Sequence, residues 1–151
     1  MAAFSVNFNA TNTASTTVPM VNGMATAVNQ FGIYEINSGS DATADNSVKY
    51  SLMRTSNKQT SSTSITANAV DQNVTQAALT TWDTAWNIAP TITATSQILQ
   101  FAHHQRATYR WIAYDYTKFL RSQAGTGKGI ALMSVVVTSA FNGVFSIEYD
   151  E

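Results

Sequence analysis

Apolar side chains recur at every second position in this chain. Phe4, Val6 and Phe8 alternate with Ser5 and Asn7, the period of a strand with one buried and one wet face. VKYSLMR at 48–54 repeats the alternation. Residues 17–24 and 30–36 read as two more short strands, and Asn22-Gly23 between them is a strong hairpin-turn signal. Residues 38–46 read as a loop, 55–64 as a polar tract and 64–70 as a further weak strand. Short strands with turn signals every eight to twelve residues or so predict an all-β domain, a β-sandwich of jelly-roll-like form.

One segment departs from period two. Val74, Ala78, Leu79, Trp82, Ala85 and Trp86 fall at helical spacing, Asp71 stands where a cap belongs, and Pro90 lies just beyond. This predicts one short helix over 74–86, against which the β-branched Thr75, Thr80, Thr81 and Thr84 weigh. A strand pair is the competing reading.

Extended, residues 100–113 place Phe101, His103, Gln105, Ala107, Tyr109, Trp111 and Ala113 on one face. The other face carries Ala102, His104, Arg106, Thr108, Arg110 and Ile112. A turn near Asp115, a segment at 116–120, a glycine-rich stretch, a strand at 130–137, Asn142-Gly143 and a strand at 144–149 complete the chain.

With 151 residues the chain can bury roughly 70% of its unfolded surface. No repeat, charge block or Pro-rich linker divides it, so one domain over 1–151 is expected. Charged residues are 11% against a usual quarter or so, and Thr, Ser and Asn must solvate the surface instead. A net charge of −1 gives no overall positive potential for nucleic acid. The absence of cysteine excludes disulfides, thiolate zinc sites and cysteine nucleophiles. The N-terminal residues have neither the basic nor the apolar region of a secretion signal, and no run approaches the ~18 apolar residues of a membrane span. A protein made in the cytoplasm, without membrane contact, is expected.

GTGKG at 125–129 invites comparison with a phosphate-binding loop, which needs a glycine five positions before the Gly-Lys pair, a hydroxyl after the lysine and a following helix. Ser122 and Gly129 stand at the first two positions, and Val135, Val136 and Val137 favour a strand. A turn feeding a central strand is therefore predicted. His103 and His104 are adjacent, so on a strand they face opposite ways and cannot easily share a metal; a structural or interface role is expected. No paired carboxylates or recognisable triad context points to catalysis, and no cofactor or metal site is predicted.

The sharpest asymmetry is electrostatic. Arg106, Arg110, Lys118, Arg121 and Lys128 are five of the eight basic residues, and Asp115 is the only acid in that stretch. They read either as a solvated edge or as a patch that docks on an acidic protein surface; the interleaved aromatics leave single-stranded nucleic acid as a weaker reading. Trp82, Trp86 and Trp111 could stack on sugar rings or belong to a core.

HQRATYRWIA at 104–113, GKGIAL at 127–132 and VFSIEYDE at 144–151 resemble small β-structured proteins encoded among the head genes of tailed bacteriophages. The resemblance implies a decoration (cement) protein: a virion structural protein, assembled in the host cytoplasm, that binds the outer capsid surface and stabilises it, often as a homotrimer. The implied partner is the major capsid protein and no catalytic residue is implied. Arg106, Arg110, Lys118, Arg121 and Lys128 become candidate capsid contacts and the N-terminal strand a candidate clamp. The alternatives are a carbohydrate-binding module of a phage fibre or tail tip, resting on Trp82 and Trp86, and a subunit of a non-viral filament.

Overall fold

The computed structural model describes residues 1–151 apart from 42, 44, 58, 59 and 105, with the backbone alone at 61 and 62. Its strands are β1 (Ala3–Asn12), β2 (Val21–Met24), β3 (Gly32–Ser40), β4 (Ser47–Thr55), β5 (Thr60–Ile65), β6 (Asn68–Ala69), β7 (Thr81–Ile88), β8 (Ile92–His104), β9 (Tyr109–Ile112), β10 (Leu120–Arg121), β11 (Gly129–Val137) and β12 (Phe141–Asp150). A 3₁₀ turn at Tyr116–Lys118 is capped by Asp115, whose carboxylate accepts from the Thr117 backbone N–H.

Two antiparallel sheets pack face to face. The first runs β6-β1-β12-β3, with β9 and β10 sharing the outer flank of β3; the second runs β5-β7-β2-β11-β4-β8. Pairing is nested: β1 with β12, β2 with β11, β3 with β9 and β4 with β8. A long antiparallel ribbon wrapped so that successive pairs fall into alternate sheets is a jelly roll. The β5–β7 segment is inserted between β4 and β8; its β5 and β7 widen the second sheet beyond β2, while β6 joins the first sheet beside β1.

The period-two runs become core as expected. Phe4, Val6 and Phe8 of β1 and Val48, Tyr50 and Leu52 of β4 are buried between the sheets, each worth roughly 1.5–3 kcal/mol if fully withdrawn from water. Phe31, Trp82 and Tyr149 meet edge-on or tilted at one end of the interior, while Phe8, Phe145, Tyr50 and Phe101 form a second ring cluster. Two polar links cross the same gap. The Tyr50 hydroxyl donates to Asn12 Oδ1 at 2.7 Å. Ser38 Oγ and His103 Nε2 are 2.9 Å apart, and His103 Nδ1 lies 2.9 Å from the His104 carbonyl. Since a carbonyl only accepts, Nδ1 carries the proton and Nε2 accepts from Ser38 in the neutral ring.

Several expectations need correction. There is no helix over 74–86: residues 71–80 form turns, in which Asp71 caps only the local bend at Asn73, and β7 starts at Thr81. Trp82 is 1% exposed, and burying its ring against Phe31 and Tyr149 across the sandwich outweighs the accidental helical spacing, as the threonines hinted. Asn22-Gly23 is not a turn but the middle of β2, because a Cβ at Gly23 would lie 2.7 Å from the Trp82 ring. Gly143 is likewise inside β12, where a Cβ would collide with Asn12 and Phe145.

Residues 100–113 are not one strand. The chain turns after His104, with the Ala107 N–H bonded to the His104 carbonyl, and enters the other sheet as β9. The two faces survive on the strands: Phe101, His103, Tyr109 and Trp111 are buried or half-buried, and Ala102, His104, Arg106, Thr108, Arg110 and Ile112 are exposed, but Ala107, expected on the first face, is exposed in the turn. Gln105 lies outside the described residues, as do parts of the predicted loop at 38–46 and of the polar tract. β3 extends to Ser40, into that loop.

GTGKG is a turn. Gly125 and Gly127 take φ of 136° and 83°, conformations that cost other residues dearly. β11 follows at the centre of its sheet, and Gly129 sits so close under the Gly23 carbonyl that a Cβ there would clash.

Candidate functional site

The outward face of the first sheet and its β9 flank hold most of the chemistry the sequence singled out. Register fixes which side chains share that face. Asn7, Ser146, Asn37 and Arg110 form one row across β1, β12, β3 and β9, and Ser5, Glu148, Glu35 and Ile112 the next.

Within these rows Glu35 organises its neighbours. Its carboxylate accepts from Arg110 Nε at 2.8 Å and Nη2 at 3.1 Å, and from Asn37 Nδ2 at 2.7 Å. The Arg110 hydrogen bond is the main reason that the Glu35 carboxyl titrates below its ordinary range, with Asn37 adding to it against the opposing effect of burial. Tyr34, beside this row, has its hydroxyl pKa pushed up to about 12, first by burial and then by the negative charge of Glu148.

The five basic residues are not one patch of free charge. Arg106, in the turn before β9, pairs with Asp45 at 2.7 Å, both side chains largely in solvent, where such a pair contributes about 0–1 kcal/mol. Arg110 pairs with Glu35. Arg121 lies across the Phe119 ring and reaches Asp150 at 3.4 Å. Lys118 stands 5.8 Å from the Tyr114 ring centroid. Lys128 leaves the GTGKG turn toward Arg54, Thr55 and Thr93 at a small cleft. Lys118 and Lys128 make no ion pair among the described residues.

The β9 flank is also apolar. β9 has β3 on one side and no strand on the other among the described residues. Ile112 at the end of β9, Tyr114 in the bend after it and Tyr116 in the 3₁₀ turn are 49%, 81% and 64% exposed, and Tyr34 packs against Phe119. Three large apolar or aromatic side chains this exposed within five residues make a short apolar stretch of surface chain, unlike the single apolar residues any surface carries.

Two sequence candidates are placed elsewhere. β1 is held between β12 and β6 with Phe4 and Val6 in the core, so as a clamp it would have to leave the sheet. Trp82 is core, and Trp86 and Trp111 are half-buried, so the tryptophans offer no exposed stacking platform. The partners that sequence reading missed, Glu35, Asp45, Asp150 and Arg54, come from distant stretches. Strand register brings Glu35 and Asp150 to the basic segment, Asp45 reaches Arg106 from the connection before β4, and Arg54 donates to the Arg121 carbonyl at 2.7 Å. No family model matches the chain, and neither does any curated protein or solved structure.

Proposed function

We propose that this protein is a virion structural protein of a tailed bacteriophage, a decoration protein that binds the outer surface of the capsid and stabilises it. The observation that carries the reading is the exposed Ile112, Tyr114 and Tyr116 strip beside the open flank of β9. Tyrosine suits a protein contact because it buries a large area at little conformational cost and keeps a polar tip. The jelly roll supports the reading more weakly, since viral capsid domains use it alongside lectins and cupins.

In this reading the contact is centred on the strip, with Lys118 at its rim as the cation that steers approach to an acidic capsid surface. Arg106, Arg110 and Arg121 hold the surface in shape through their own carboxylates, and Lys128 serves a second, smaller contact. The partner is the major capsid protein, the location is the virion, and the working unit is a homotrimer.

The test is to mix purified protein with capsids of the same phage that lack it. Wild type sediments with the capsids and raises the temperature at which they open. A Tyr114→Ala/Tyr116→Ala variant folds, as its circular dichroism and melting curve report, yet binds at least about tenfold more weakly, as loss of two interface aromatics demands. Failure of wild type to bind at any salt concentration would overturn the proposal, and light scattering checks the trimer directly.

A further inference from the structure

The outward face of the first sheet is hollowed by a groove of about 650 Å³ that crosses β1, β12, β3 and β9. This volume falls within the range of small-ligand sites. Its breadth, three interstrand spacings or roughly 14 Å, exceeds a single sugar ring.

The floor has a specific cause. Gly39 adds no side chain there, and a Cβ at this position would meet nothing closer than Thr108 Cγ2 at 3.9 Å. Opposite Gly39 in the register stands Val144, 46% exposed, with Asn9 beyond it. An apolar strip is thus flanked by neutral polar groups: the Asn9 amide on one side, and the row of Asn7, Ser146 and Asn37, two amides and a hydroxyl, on the other.

The lining is electrically neutral. Its one charged side chain among the described residues, Arg110, is already held by two hydrogen bonds to Glu35. Glu35 also takes one Asn37 amide hydrogen, which fixes that side chain and turns its carbonyl oxygen away from the carboxylate. Glu35 offsets the charge of Arg110, so the groove offers an anion little net attraction, and no carboxylate lines it for a cation among the described residues. Across β1, β12 and β3 the backbone groups are spent on the ladders, so an extended peptide would pair only along the outer edge of β9, at the end of the groove and not over its floor.

The remaining match is a neutral ligand rich in hydroxyls with an apolar C–H face. Each amide both donates and accepts, as a hydroxyl does, while Val144 faces the C–H surface. We propose that this groove binds a neutral oligosaccharide. The site is distinct from the tryptophan platform the sequence suggested and from the strip at 112–116, and it does not rest on the capsid reading.

A neutral-glycan array, followed by NMR titration of the purified protein with the best hit, tests it. Saturable binding is expected, insensitive to salt, with shifts centred on Asn37, Gly39 and Val144. Asn37→Ala should weaken it about tenfold, as for the loss of one hydrogen-bonding side chain. Gly39→Leu, which has space for its Cβ, should abolish it without changing the melting temperature appreciably, while Trp86→Ala leaves it intact. Absence of saturable binding to any neutral glycan, selective binding of acidic glycans or of peptides, or affinity that survives Gly39→Leu would overturn the proposal. Capsid association of the Gly39→Leu protein separates the two readings: it persists if the strip is the capsid contact, whatever the groove binds.

Discussion

β8 and β9 are the outer strands of their sheets on the same flank of the sandwich, and they treat their open edges in opposite ways. β8 is long and interrupted. Its pairing with β4 slips twice, between Leu52 and Met53 and again before Thr55. Thr95 takes a φ of 55°, and the Arg54 N–H bonds to the Ser96 side chain. Bulges of this kind twist an edge so that a second strand cannot add to it. β9 is short, its register with β3 is unbroken over Glu35 to Ser38, and aromatic residues follow it. The contrast teaches that exposure of an edge and availability of an edge are different properties. The slips are confined to the first part of β8, while its Leu99–His104 portion and the whole of β9 pair without a break.

The two edges are joined by rings. Phe101 of β8 stacks on Tyr109 of β9 with centroids 4.0 Å apart and planes within 3°. Phe101→Ala should therefore have the largest effect, about 3–5 kcal/mol as for other buried Phe truncations, read from denaturant unfolding. A loss under ~1 kcal/mol would mean that the edges are not coupled through this stack. Behind the rings, Tyr50→Phe leaves the Asn12 carbonyl without its donor and should cost about 1–3 kcal/mol. The hydroxyl that is lost is one whose ionisation burial already suppresses.

Glu35→Gln tests what pins β9 to β3. Because the folded carboxyl titrates below its unfolded value, with Arg110 as first cause, the pair stabilises the protein above the unfolded pKa of about 4.3. That contribution disappears as the pH falls through the folded pKa. The variant should lose about 1 kcal/mol at neutral pH, since Arg110 is well exposed and solvent screens it. Its deficit against wild type should close on acidification, which melting curves at pH 7 and pH 3 would show; a deficit that stays constant refutes the assignment. The smallest effect belongs to β8: Thr95→Gly relieves left-handed strain but frees the unfolded chain, so stability should rise by no more than ~1 kcal/mol. A loss would show that the Thr95 side chain itself holds the bulge.

Much of this was legible in the sequence because burial on one face writes itself as period two. Phe4 to Phe8 and Val48 to Leu52 carry their own evidence, and the faces read correctly on either side of the turn, at 101–104 and 109–112, though not within it, where Arg106, Ala107 and Thr108 are all exposed. Asn22-Gly23 and Asn142-Gly143 misled for a reason that is physical. Glycine serves tight turns and close packing equally, and nothing local says that Trp82 or the Phe145 ring will lie against it. The helix over 74–86 failed in the same way, through a spacing whose meaning depended on the opposite sheet. The site was harder still. Asn7, Asn9 and Asn37 were visible as polar positions, but Glu35 beside Arg110 and Asp150 beside Arg121 are matters of register, which composition does not encode.

The ends of the chain show what that register permits. Ala2 and Glu151 exchange both backbone hydrogen bonds at 3.1 Å, and the Glu151 carboxylate accepts from the Leu79 and Thr80 N–H groups. The start of β1 and the end of β12 thus lie side by side, about 17 Å along β1 from Asn7 in the groove. The sandwich could be spliced into a loop of another protein through two short joints, or recircularised and opened elsewhere. A payload attached at either end would depart from one and the same place.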